Sequence, residues 1–174
     1  MRQTKKVTIS AMVVALGTMF LVLGAVFDVL DLSACALASL FVAFIYIEIG
    51  SPYTYLVWLA TALLTFVFFP GSLVWVEYLL VFGIYPILKA YIEKLPRMAW
   101  LFLKLVYFNV IIWLIIIASE FVFKIPFFAV DKLWLKAVFY LILNVAFVAY
   151  DIFLTVLIRF YFQKLRPRFI NFLK

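Results

Sequence analysis

The chain has 174 residues, of which 70% are hydrophobic, 21% aromatic and only 13% charged, with a net charge of +7 and a mean hydropathy of +1.26. A water-soluble domain carries roughly a quarter charged residues, and one of this length leaves too much surface in water to hide so many apolar side chains, so lipid is the solvent for most of it. The absence of histidine excludes histidine general bases, histidine-ligated haem or zinc and serine–histidine hydrolysis, and the single cysteine, Cys35, excludes an internal disulfide and CxxC chemistry.

About 20 apolar residues cross a bilayer as a helix. Six segments meet that length, which predicts an all-α fold: one domain over residues 1–174, an integral membrane bundle of six transmembrane helices. The first span covers residues 7–27, too long an apolar run for a secretory signal core and followed by no small-residue cleavage site, so it is read as retained. Asp28 and Asp31 mark a polar turn. Two carboxylates three residues apart are too few oxygen ligands for a cation, and a solvated turn with a helix cap explains them. The second span covers 32–49 and ends at Gly50-Ser51-Pro52; the third covers 53–69 and ends at Pro70-Gly71-Ser72. The fourth covers 73–91, before the hydrophilic break Glu93-Lys94-Leu95-Pro96-Arg97. The fifth covers 98–121, residues 123–132 with Pro126 form the longest connection, and the sixth covers 133–162, before Pro167 and a basic tail. Connections this short force neighbouring spans to be antiparallel. No internal repeat and no broken helix is legible.

Lysine and arginine orient the bundle. Arg2, Lys5 and Lys6, then Lys89, Lys94, Arg97 and Lys104, then Arg159, Lys164, Arg166, Arg168 and Lys174 fall on one side if the spans number six. Both the N and C termini are therefore expected to be cytoplasmic. The charge is membrane topology, not a nucleic-acid surface. Trp75 and Trp134 on one side and Trp100 on the other fit aromatic belts.

Polar side chains at membrane depth are expensive and face the bundle interior. Tyr140, Asn144, Asp151 and Thr155 share one face of the sixth span; Asn109, Trp113, Ile116 and Glu120 form a stripe on the fifth; Tyr78, Phe82, Tyr85 and Lys89 form one on the fourth, with Glu77 beside it. Depth sorts them. Glu77, Asn109, Trp113, Glu120, Tyr140 and Asn144 lie in the outer half or at mid-depth and are the candidate lining of an outward-opening ligand pocket, against the plainer reading of isolated interhelical hydrogen bonds. Glu48, Lys89, Lys104 and Asp151 lie in the inner half as a structural ion-pair network. No metal site, cofactor site or nucleotide-binding loop is legible, so any ATP-driven role needs a separate motor.

The first span opens Ser10-Ala11-Met12-Val13-Val14-Ala15-Leu16-Gly17, with Ala11 and Ala15 one turn apart and Thr18 and Ala25 continuing the face. Small residues at this spacing let another helix approach closely. With its basic leader, the stretch from Lys5 to Gly17 resembles the start of the substrate-binding S components of energy-coupling factor (ECF) transporters. The resemblance implies a six-span membrane protein with both termini inside, capturing a vitamin-like nutrient from outside. It also implies docking, through Ala11 and Ala15, to a membrane coupling subunit driven by two ATPase subunits. The connection at 123–132 would cover the ligand, whose identity is not legible. The expected location is the bacterial cytoplasmic membrane. The competing reading is a structural or assembly protein of the cell-shape or envelope machinery, with no solute site. A membrane enzyme has no nucleophile–base constellation to support it, and a secondary transporter lacks its usual repeats and broken helices.

Overall fold

The computed structural model of the chain describes residues 3–27, 30–122, 124 and 132–167. Asp28, most of the 123–132 connection and the tail from 168 lie outside the described residues. Every regular element among the described residues is helical: α1 Gln3–Val26, α2 Asp31–Glu48, α3 Tyr53–Phe68, α4 Val74–Glu77, α5 Tyr85–Ile92, α6 Arg97–Ile117 and α7 Leu133–Phe160. Three wider-wound segments, Tyr78–Phe82, Ala118–Val122 and Tyr161–Leu165, join α4 to α5 and extend α6 and α7. Five stretches are long and apolar enough to cross a membrane: Gln3–Val26, Asp31–Glu48, Val74–Ile92, Ala99–Phe121 and Leu133–Leu165. The chain is thus a multi-pass helical membrane protein. The third predicted span is shorter than expected. Between the turns at Gly50-Ser51-Pro52 and Pro70-Gly71, α3 has only 16 residues, about 24 Å of helix against a hydrocarbon core of about 30 Å.

Cross-helix contacts set the directions. Gly24, late in α1, meets Ala34, early in α2. A Cβ built on Gly24 would lie 2.7 Å from that of Ala34, so glycine permits the close antiparallel crossing. Lys6 sits 5.7 Å over the Tyr53 ring and Gly17 faces Thr61, so α1 and α3 run parallel. Cys35 Sγ donates to Val74 O at 3.7 Å, and Tyr161 OH donates to Glu48 Oε1 at 3.1 Å, which sets α4–α5 and α7 parallel to α2. The up-down order expected from short connections therefore holds. The start of α1 and the end of α7 share one end of the bundle with the 93–96 loop.

The fourth rod is the centre of the molecule. Tyr78 and Ile87 pack with Leu21, Cys35, Val42 and Ala62 of α1–α3. Val81 and Tyr85 pack with Phe108, Ile112, Phe147 and Leu154 of α6 and α7, where the Phe108 and Phe147 rings stack 4.1 Å apart. The rod is not the continuous helix the sequence predicts. Gly83 N–H bonds Tyr78 O at 2.7 Å, an i to i+5 link, and Pro86 has no amide to return to Phe82 O. Side chains take up the displaced backbone: Trp58 Nε1–H donates to Leu79 O at 3.1 Å, and Tyr107 OH donates to Leu80 O. Neighbouring helices satisfy freed carbonyls in lipid where water cannot. The wide turn also rotates the rod, so Tyr78 and Tyr85, expected on one stripe, enter different clusters.

Candidate functional site

A charge network, an amide cluster and a largely apolar cleft lie inside the helical scaffold among the described residues. The first is a charge network toward the 93–96 end. Lys89 and Lys104 are only 2% and 5% exposed. Both ammonium groups reach Glu93 Oε1 at 2.9 Å, and Lys104 Nζ reaches Asp151 Oδ2 at 2.9 Å. Lys89 Nζ also bonds Asp151 Oδ1, to which Tyr85 OH donates at 2.6 Å. Two cations and two anions thus close a neutral knot between α5, α6 and α7. Burial by itself raises the Glu93 carboxyl, but hydrogen bonds from Lys104 and Lys89, and their charge, outweigh it and hold the group below its ordinary range. Glu48, assigned from its depth to this network, is not in it. It accepts from Arg166 Nε at 2.9 Å and from Tyr161 OH. Asp151 lies ten residues before Tyr161, about 15 Å along α7, so depth along α2 placed Glu48 beside the last turn of α7 instead. The member missing from the sequence reading is Glu93. Its signal was its i, i+4 spacing from Lys89.

The second constellation sits at mid-depth. Asn109 Nδ2 donates to Asn144 Oδ1 at 3.0 Å and to Leu105 O at 2.7 Å. Asn144 Nδ2 donates to Tyr140 O at 3.0 Å and reaches back to Asn109 Oδ1 at 3.4 Å, where Tyr140 OH also donates. The side chains satisfy one another and the backbone, so they clamp α6 to α7 and do not line the cleft described next. Trp113, placed with them by spacing, is 61% exposed and faces away from the bundle; Glu120 is also exposed. The buried face of α6 and its extension is Lys104, Phe108, Ile112, Ile115 and Ser119. The stripe read from the sequence lies one position away, which is about 100° around a helix.

The third is a cleft of about 410 Å³ between α2, the fourth rod, α6 and α7. Its walls are apolar (Val81, Phe108, Ile112, Leu143 and Phe147 among them), and Glu77 and Ser33 bring polar groups toward the end where α2 and α4 begin. Glu77 Oε2 is shut off from solvent and has no hydrogen-bond partner. Leu32, Ala146, Ala149 and Phe153 form an exposed rim along α2 and α7. The cavity therefore opens on the bundle's flank. Among the described residues the six candidates do not gather around one cavity: Asn109, Tyr140 and Asn144 bond one another, Trp113 and Glu120 are exposed, and only Glu77 lines this cleft.

On α1, Val13, Gly17, Thr18, Leu21 and Gly24 are buried, whereas Ala11 and Ala15 are exposed. Thr18, expected to continue the alanine face, turns into the bundle instead. No cluster of histidine, cysteine or acidic residues able to hold a metal occurs among the described residues. No protein-family model, curated protein or solved structure matches the chain.

Proposed function

We propose that the protein is the substrate-capture subunit of an ATP-driven nutrient importer of the energy-coupling kind. It sits in a bacterial cytoplasmic membrane with both termini in the cytoplasm and docks through α1 to a coupling subunit that two ATPase subunits drive. The observation that carries this reading is the exposure of Ala11 and Ala15. Internal packing uses the opposite side of α1, so the small-residue pair is left free for a helix of another subunit to approach closely. The cleft beside Glu77 supplies the cargo site, and its flank opening lets a small molecule enter from the bilayer.

Ala11→Trp and Ala15→Trp are expected to abolish co-purification with a co-expressed coupling subunit while leaving the melting temperature of the bundle unchanged, since both side chains already face outward. Unchanged co-purification discards the assignment. A second reading, a structural or assembly protein with no solute site, is favoured by one feature: the mid-depth amides of Asn109 and Asn144 bond each other and leave no polar pocket there. Mass spectrometry of the purified protein separates the two, because a capture subunit retains a specific small molecule and an assembly protein retains none.

A further inference from the structure

We propose that the flank cleft takes a hydrophobic amine: an apolar body lying between α2 and α7 with its ammonium group on the Glu77 carboxylate. The inference rests on the capture reading and names its ligand class. A volume of about 410 Å³ falls in the range of small-molecule sites, about 300–1,000 Å³. Its walls of Phe108, Phe147, Val81 and Ile112 favour an apolar or aromatic body. Glu77 decides the head group: it is the one acidic side chain in the lining, and a carboxyl among apolar walls is best satisfied by a ligand that brings an N–H. A carboxylate set in these apolar walls makes this end of the cleft attract a cation and repel an anion. An alcohol supplies a donor but no charge; an ammonium supplies both, and a charge-assisted bond is about twice as strong as a neutral one.

The test uses the full chain in nanodiscs of phosphatidylcholine, with empty nanodiscs as the blank, and three radiolabelled probes of one skeleton: phenylbutylamine, phenylbutanol and phenylbutyrate. The amine is expected to bind at least about tenfold more tightly than the alcohol, and the acid not at all. Glu77→Gln should bring the amine down to the level of the alcohol and leave the alcohol unchanged. Ala146→Trp, which fills the cleft from an exposed rim position, should remove both; Ala149→Trp on the same wall serves if that variant does not fold. Equal binding of amine and alcohol to the wild type, or an amine preference that survives Glu77→Gln, overturns the ligand class and leaves the capture reading standing. Saturable binding of no probe likewise overturns the amine site, whereas the capture reading falls only if the Ala11 and Ala15 variants still co-purify with the coupling subunit. Nanodiscs containing phosphatidylethanolamine then identify the source of the ammonium: displacement of the amine from wild type points to a membrane lipid head group, and undiminished amine binding to a free solute. Either result upholds the amine site.

Discussion

Asp151 accepts from Lys89, Lys104 and Tyr85 at once, so it is the residue on which the charge network turns. Removing its charge leaves two buried ammonium groups sharing Glu93. Breaking a buried pair from one side costs about 3–5 kcal/mol, because the stranded charge has nowhere to go. Asp151→Asn should therefore unfold at markedly lower denaturant in detergent micelles, and adding Lys104→Met should recover much of the loss by restoring neutrality. A double variant as unstable as the sum of the two singles would show that the groups act independently. Glu93 adds a pH signature to the same network. Its carboxyl is held low when folded, so its contribution is complete above the ordinary glutamate value of about 4.3 and is lost as pH falls through the lower folded value. Lys89, Lys104 and Asp151 were legible because a charge inside an apolar run has no other use. Tyr85 was not legible as a partner, because a hydroxyl's acceptor depends on rotation about the helix axis that composition does not carry.

At the scale of the element, the fourth rod shows how far an apolar run predicts its own shape. Its length was legible in 73–91, but its break was not, although Gly83 and Pro86 both stood in view. The i to i+5 turn persists because Trp58 of α3 and Tyr107 of α6 satisfy Leu79 O and Leu80 O, and those partners are distant in the chain. A Cβ on Gly83 would come within 2.5 Å of Trp58 Cδ1 and 2.8 Å of Tyr78 O. Gly83→Ala should therefore push Trp58 off Leu79 O and destabilise the bundle by about 1–3 kcal/mol, the usual cost of overpacking. Differential scanning fluorimetry and a shift in Trp58 emission check this, and a variant that melts with the wild type would mean the rod can straighten. The same reasoning explains Trp113. A stripe at helical spacing identifies a face but not which face is inward, and on α6 the inward choice was made by Phe108 stacking on Phe147 of α7 and Ile112 packing beside it.

At the scale of the whole molecule, the alternation of rods brings both described ends and the 93–96 loop to one end of the bundle. The basic residues concentrated there are expected to hold that end in the cytoplasm. In a Cys35→Ala background, Lys94→Cys should react with an impermeant thiol reagent only from the cytoplasmic side and Gly71→Cys only from the other. Labelling of both from the same side would overturn the topology, and with it the depth argument for the cleft. Cys35 itself is fully buried beside Val74 O, so its removal creates a small change in packing and no change in access.

Composition alone determined the solvent, and the Gly, Pro and charged breaks marked where most of the rods begin and end, because a helix in hydrocarbon satisfies its own backbone and its length follows from the bilayer. Where the rods touch was decided only in three dimensions. In lipid every apolar side chain is equally content facing outward, so hydrophobicity does not say which face packs; close fit and polar pairing do. That is why Glu48 meets Arg166 and not Asp151, why Asn109 and Asn144 use each other as partners, and why the cleft, walled almost entirely by apolar side chains, is marked in the order of the residues by Glu77 alone.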